Sequence, residues 1–349
     1  MHSHQNYLQR CIDLARLGSG SVSPNPMVGS VIVCDDKIIG EGYHQVYGQA
    51  HAEVNAIKQV FENHENAKEL LKRSTIYVSL EPCSHFGKTP PCADLIISNE
   101  IPRAVIGCRD PFDQINGRGI GKLRNAGIEV IEGILTEQCI DLNKRFFTRI
   151  QKQRPYIILK WAQTSDGFFA PANKSQKWIS SQNAKQLVHR WRTEEDAVLV
   201  GRNTVLADNP QLNSREWPGK NPIRIIIDRR LELPNDLNVF DQSQDTIIFN
   251  EQKTELSDRI KYLELEDFDN LLPQLIAYQL YLMDIQSLIV EGGAETLKLF
   301  IKAGLWDEAR VFTGPQIWNS GIPAPEIMGK HGESQSVGQD VLNIWFNME

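Results

Sequence analysis

The sequence predicts an α/β protein of two domains, and three observations carry that prediction. Strand-like and helix-like segments alternate along most of the chain, as in layered α/β folds. The alternation breaks at the polar run Gln151-Lys152-Gln153-Arg154, closed by Pro155, and then begins again. Proline biases its predecessor away from helix, so this run is the best boundary. The 349 residues leave room for two cores at roughly 150 residues each. We therefore expect one domain over residues 1–150 and another over 151–349.

In the first half, Leu8, Ile12 and Ala15 share one face of a helix over residues 4–18, which Gly18 and Gly20 can stop. Residues 28–34 and 37–43 read as a hairpin turning at Asp35-Asp36. Residues 51–60 are a helix, because Val54, Ile57 and Val60 recur on one side. Residues 75–80 are a β-branched strand. Residues 92–99 are a helix that Pro90-Pro91 introduces. Two short strands follow at 104–107 and 129–132, then a helix over 136–150. This order predicts a three-layer α/β domain. In the second half, strands are expected at 156–162, 197–201, 223–227, 246–249 and 287–290, with 308–313 and 341–346 closing the sheet. Helices are expected over 183–193, 271–282 and 296–303. No internal repeat is visible.

Composition narrows the function. Hydrophobic residues are 41% and charged residues 23% of the chain, ordinary for a soluble globular protein. Lys plus Arg number 37 against 44 Asp plus Glu, a net charge of −7 that argues against broad nucleic-acid binding. No apolar run reaches the roughly 20 residues of a membrane helix, and the start lacks a signal-peptide pattern. All six cysteines (Cys11, Cys34, Cys83, Cys92, Cys108 and Cys139) lie in the first domain. A reducing cytoplasm is the expected setting. Crowded cysteines then mean core packing or a metal, and for Cys11, Cys34, Cys108 and Cys139 core packing is expected.

His51-Ala52-Glu53 opens a helix, and Cys83 and Cys92 each follow a proline. One imidazole and two thiolates suit zinc, and a catalytic zinc keeps its fourth position for water. Residues two apart on a helix point about 200° apart. His51 and Glu53 can therefore both reach only a point off the helix start, where free N–H groups favour anions. Glu53 would then stand beside the metal-bound water without ligating it. His-x-Glu with Pro-Cys-x-x-Cys is the signature of zinc nucleobase deaminases. Here eight residues, not two, separate the cysteines. A structural zinc would use the same cysteines, with His85 added to His51 or replacing it, but leaves Glu53 without a task.

In the second half, Glu291-Gly292-Gly293-Ala294 joins a strand to a helix. Such a turn lets backbone N–H groups approach a pyrophosphate at the helix start. The pair is weak by itself, since the full Gly-x-Gly-x-x-Gly is absent.

Glu81-Pro82-Cys83-Ser84-His85-Phe86-Gly87-Lys88-Thr89-Pro90-Pro91-Cys92, with Pro24-Asn25-Pro26-Met27-Val28-Gly29 and Gly42-Tyr43-His44 upstream, closely resembles the bifunctional deaminase/reductase family of riboflavin biosynthesis. Leu159-Lys160-Trp161-Ala162, Ser165-Asp166-Gly167, Lys177-Trp178-Ile179-Ser180, Val200-Gly201-Arg202-Asn203-Thr204-Val205 and Ala207-Asp208-Asn209-Pro210-Gln211-Leu212 resemble its reductase part. The resemblance implies a cytidine-deaminase-like N-terminal domain and a dihydrofolate-reductase-like C-terminal domain. It implies zinc on His51, Cys83 and Cys92, with Glu53 as the proton shuttle. Asn25, His44, His85 and Lys88 fall where the family binds the pyrimidine and its phosphate. Ala162, Trp178, Thr204, Asp208 and the turn Gly293, Ala294, Glu295, Thr296, Leu297, Lys298 and Leu299 fall where it binds NADPH. Lys160, Gln176, Arg192, Leu212, Arg215 and Glu291 fall where it binds the phosphoribosyl substrate, with Lys160 and Glu291 closest to the chemistry. The expected reactions are hydrolytic deamination of 2,5-diamino-6-(5-phosphoribosylamino)pyrimidin-4-one and NADPH-dependent reduction of the ribosyl chain of the resulting uracil. Partners are expected to be this small molecule and further copies of the chain, with neither nucleic acid nor membrane. The stretch after Gly321 is short for the family, so an edge element is expected to be missing. A tRNA or free-base deaminase, or a zinc-stabilised binding protein, would use the same first-domain residues.

Overall fold

Strands buried along their whole length need cover on both faces, and Gly29–Cys34 and Thr75–Leu80 are of that kind. The computed structural model describes residues 3–84, 90–112, 116–172 and 178–348. His85, Lys88 and Gln176 lie outside the described residues. The chain divides into two units, Met1–Lys152 and Gln153–Glu349.

The first unit has strands β1 (Gly29–Cys34), β2 (Lys37–Tyr43), β3 (Thr75–Leu80), β4 (Arg103–Cys108) and β5 (Glu129–Glu132). Its helices are α1 (His4–Arg16), α2 (Ala52–Asn63), α3 (Ala67–Leu71), α4 (Cys92–Ser98), α5 (Arg118–Asn125), α6 (Thr136–Leu142) and α7 (Lys144–Lys152). The sheet order is β2-β1-β3-β4-β5. β1 runs antiparallel to β2 and β3, while β3, β4 and β5 run parallel. Alternation along the strands splits the core. Ile32, Ile76 and Ala104 pack with Ile57 and Val60 of α2, Ile96 of α4 and Leu123 of α5. Val31, Tyr77 and Val105 point the other way, onto Leu8, Cys11 and Leu14 of α1. Three layers result, as the pattern predicts.

Of the first-unit details that depart from the sequence reading, two place the site. The single helix expected over 136–150 is divided at Asn143. The Asn143 side chain turns inward, accepting from the Met27 N–H at 2.8 Å and donating to the Met27 carbonyl at 2.9 Å. It thereby anchors the loop that carries Asn25. The second departure is α5, which its glycines hide from the pattern. Glu81 lies buried against the start of this helix and accepts N–H groups from Asp110, Gly117, Gly119 and Ile120. A Cβ on Gly119 would sit 2.1 Å from the Pro82 carbonyl, so only glycine permits the approach.

The second unit is built on β6 (Tyr156–Thr164), β7 (Phe168–Ala170), β8 (Ala197–Gly201), β9 (Ile223–Ile227), β10 (Thr246–Asn250), β11 (Glu255–Leu256), β12 (Ile260–Glu264), β13 (Ser287–Gly292), β14 (Glu308–Gly314), β15 (Ile322–Pro323), β16 (Lys330–Val337) and β17 (Asp340–Phe346). Its α-helices are α8 (Gln182–Glu194), α9 (Arg202–Asp208), α10 (Leu272–Leu282) and α11 (Ala294–Lys302). The main sheet has ten strands in the order β11-β12-β10-β9-β8-β13-β6-β14-β17-β16. From β12 to β14 every neighbouring pair is parallel. Ile157 and Leu159 pack on one face, Tyr156 and Ile158 on the other. The edge expected to be missing after Gly321 is present, because β17 pairs antiparallel with β14 and β16 adds outside it. The sequence pattern hides β16, whose side chains alternate in neither burial nor polarity. Among the described residues no helix is long and apolar enough to cross a membrane. The C-terminal ends of the parallel strands share one side, where open α/β sheets bind ligands.

Asn143→Ala leaves both Met27 backbone groups without their partner. We expect a loss of about 1–3 kcal/mol, read as a lower urea midpoint for the first unit; an unchanged midpoint refutes the anchoring role.

Candidate functional site

The first site forms where two helices begin. His51 caps α2 in extended backbone, and Cys92 is the first residue of α4. Helix starts expose free N–H groups, and that of Cys92 donates to Cys83 Sγ at 3.3 Å. His51 Nδ1 lies 3.7 Å from Cys83 Sγ and 3.3 Å from Cys92 Sγ. These three ligand atoms all lie within 4.8 Å of one another. A tetrahedral zinc, with sulfur at about 2.3 Å and nitrogen at about 2.0 Å, would space such ligands about 3.6 Å apart. The donor set and its spacing therefore fit zinc.

The electrostatics are those of a shared negative centre. A hydrogen bond from Cys92, with further help from His51, pulls the Cys83 thiol down to about 4. Cys92, donating to that thiolate and buried, is held up. The Cys83 sulfur also raises His51. Glu53, in the first turn of α2, is buried and within hydrogen-bond reach of Cys92. Burial and the Cys83 charge push its carboxyl up to about 7.

Asn25 and His44 complete the cluster. His44 Nδ1 lies 3.0 Å from the Ala50 carbonyl, which can only accept, so Nδ1 carries the proton. Burial lowers His44 and keeps its ring neutral. Its Nε2 then accepts from Asn25 Nδ2 at 3.0 Å. The His44 ring meets His51 edge-on at 5.4 Å between centroids.

In the second unit, a cavity of about 710 Å³ opens at the C-terminal strand ends. Of the residues singled out from sequence, Lys160, Ala162, Trp178, Thr204, Asp208, Glu291, Gly293, Ala294, Glu295 and Thr296 line it. Leu297, Lys298 and Leu299 do not, because the helix turns them away. Leu297 is in the core, Lys298 pairs with Glu295, and Leu299 is exposed. Gly201, where β8 ends, is required by a close approach: a Cβ there would sit 2.5 Å from Thr296 Oγ1. Leu212 is buried in the other core layer. Arg192 on α8 holds Glu291 with two bonds of 2.8 Å and gives a third to the Asn213 carbonyl. Arg215 is exposed and bonds Asn213 Oδ1.

Residues 1–108 match the model of the cytidine and deoxycytidylate deaminase zinc-binding region, and residues 155–332 match that of the RibD C-terminal domain. The riboflavin biosynthesis protein RibD of Aquifex aeolicus (strain VF5) is 43% identical over 332 residues, covering 93% of this chain and 90% of its own length. The chain belongs to the RibD family. The RibD of Escherichia coli (strain K12) is 36% identical over 362 residues, covering 96% of this chain and 97% of its own. The crystal structure of a diaminohydroxyphosphoribosylaminopyrimidine deaminase/5-amino-6-(5-phosphoribosylamino)uracil reductase from Thermotoga maritima matches with a TM-score of 0.89 at 37% identity, covering 98% of each chain. A RibD domain pair of this kind is a bifunctional enzyme of riboflavin biosynthesis, a zinc deaminase joined to a reductase.

Within the RibD reductase cavity the charges are set by burial and pairing. Lys160 Nζ lies 3.9 Å from Glu291 Oε2. Burial lowers the Lys160 amine below its ordinary value, with Glu291 opposing. Burial would raise Glu291, but Arg192 and Lys160 outweigh it and hold the carboxyl at about 2. The sequence reading missed Arg229, Arg230 and Glu232, which also line the cavity just past the end of β9. Their signal was position, since ligands in parallel sheets gather beyond strand C-termini.

Because Glu291 is depressed in the folded state, its ionic stabilisation is present above pH about 4.5 and is lost as pH falls towards about 2. Glu291→Ala strands two buried cations, so we expect a loss of about 3–5 kcal/mol near neutral pH. Urea titrations of both proteins check this: the gap between them should shrink with acid, and a gap independent of pH refutes the assignment.

Proposed function

We propose that the first unit deaminates 2,5-diamino-6-(5-phosphoribosylamino)pyrimidin-4-one, and that the second reduces the ribosyl chain of the resulting 5-amino-6-(5-phosphoribosylamino)uracil. The observation that carries this reading is the His51, Cys83 and Cys92 cluster with the buried Glu53 carboxyl against it.

His51, Cys83 and Cys92 would hold zinc, which when bound supplies a Lewis acid and an activated water. Glu53 is the proton carrier. Its near-neutral carboxyl can accept a proton and return it to the departing amine within one turnover. Asn25 orients the pyrimidine. His44 takes its Nδ2, which turns Oδ1 outward as an acceptor for an amine on the ring. By resemblance to the family, His85 and Lys88, between the two cysteines in sequence, would serve the substrate and its phosphate.

In the second unit, Ala162, Trp178, Thr204, Asp208 and the start of α11, which line the cavity, would hold NADPH, which when bound supplies a hydride. Lys160 is the proton donor for opening the ribose ring, since burial has lowered its hold on the proton. Glu291 remains ionised and steers Lys160 and the substrate. Arg192 serves by holding Glu291, because the carboxylate and a carbonyl already engage its guanidinium. Arg215 is the cation at hand for the substrate phosphate, with Leu212 and Gln176 nearby in sequence. Both steps belong in a reducing cytoplasm, which free thiols at all six cysteines support, and copies of this chain assemble with one another.

Loss of a general acid/base costs about 10²–10⁴ in rate. Glu53→Gln is expected to keep zinc and lose ammonia release on that scale, while NADPH oxidation with supplied uracil substrate persists. Ammonia release at the parent rate refutes the role. Arg192→Ala is the mirror case: NADPH oxidation falls and ammonia release continues, measured on the same two substrates.

A further inference from the structure

The first site draws its two histidines from opposite ends of one loop. His44 follows the last residue of β2, and His51 caps α2. Residues 45–50 between them belong to no helix or strand. One side chain ties the two ends together. Asn55 lies four residues after His51, one turn along the same face of α2, and its Cβ tilts back towards the helix start. Its Nδ2 donates to the Tyr43 carbonyl at 2.9 Å and to the Ala50 carbonyl at 3.5 Å. Those carbonyls belong to the residues immediately before His44 and His51. The strand end comes within reach because Gly42 lies against the helix. A Cβ there would sit 2.4 Å from the Ala56 nitrogen and 2.7 Å from Asn55 Cβ.

The Ala50 carbonyl serves twice. It also accepts from His44 Nδ1 at 3.0 Å, and His44 Nε2 accepts from Asn25 Nδ2 at 3.0 Å. A carbonyl oxygen has two lone pairs and can take both donors. A continuous series of contacts therefore runs from Asn55 through Ala50 and His44 to Asn25. We infer that Asn55 is a positioning residue of the deaminase: one amide group pins the peptide planes that precede His44 and His51, and so sets the His44–Asn25 pair against the metal ligand. It acts through those residues and not on the reacting atoms. The residue type follows from the task. An amide nitrogen carries two hydrogens for two carbonyls, a serine hydroxyl has one, and an aspartate has none. Misplacing a reacting group by about 1 Å can cost about 10²-fold in rate. The inference rests on the reading of this cluster as the deaminase centre.

Asn55→Asp and Asn55→Ser test it in the full-length protein, assayed in excess zinc so that metal loss is not the cause. In Asn55→Asp, kcat/KM for ammonia release should fall about 10- to 100-fold. Asn55→Ser, which keeps one donor, should fall less. NADPH oxidation with the uracil substrate should continue at the parent rate in both. A second readout does not depend on turnover. In NMR of protein carrying isotope-labelled histidine, the His44 Nδ1–H should be held by its hydrogen bond in the parent and exchange faster with water in Asn55→Asp. A lowered urea midpoint with kcat/KM unchanged marks a merely structural side chain and overturns the inference, as does a parent-like His44 signal. Should Asn55→Asp fail to fold, Asn55→Ser carries the same two readouts. Glu53→Gln is the reference. If it still releases ammonia, the reading of the centre fails and the inference with it. If it is inactive while the Asn55 variants are unimpaired, the inference alone falls.

Discussion

The negative charge on the Cys83 sulfur is the interaction around which the first unit is arranged. A thiolate is costly to keep in a folded interior unless donors and cations surround it. Here the donors come from structure already required for other reasons: the Cys92 N–H at a helix start, the Cys92 thiol and the His51 ring. Burial, reinforced by the same charge, keeps the Glu53 carboxyl from ionising readily. One sulfur thus raises an imidazole directly and adds to the burial that raises a carboxyl.

The segment that bears this sulfur is fixed from behind. Glu81 collects four backbone N–H groups, and Gly119 lets the Pro82 carbonyl come close. Cys83 therefore starts from a rigid strand end. The second unit uses a different device. Its fixed charge is a carboxylate, Glu291, kept ionised by a bidentate arginine rather than by backbone donors. Each unit spends buried charge where chemistry is needed, and each supports it with a partner that has little freedom to move.

Much of this was legible in the amino-acid order, for a physical reason. A zinc site draws on few ligand types, so His51, Cys83 and Cys92, which the structure brings together, could be picked out from the sequence, with Glu53 beside His51. Alternating burial made most strands readable too. Illegible features were those whose reason lies across the fold. Nothing local marks Asn143 as a helix break, because its partner is Met27, far away in sequence. The glycines of α5 read as a loop, because their use is to admit Pro82 and Glu81. For Arg192 the sequence shows the charge but not Glu291, which engages it from across the fold. Within the α11 turn, helical geometry points only Gly293 to Thr296 into the cavity.

The outermost strand, β16, carries Lys330, His331, Gly332 and Glu333, and its register with β17 slips between His331 and Ser334. A flat apolar border on so wide a sheet would invite another chain to continue it. Charge, a glycine and a local irregularity deny that template. This border therefore offers a second chain no regular row of strand hydrogen bonds to continue.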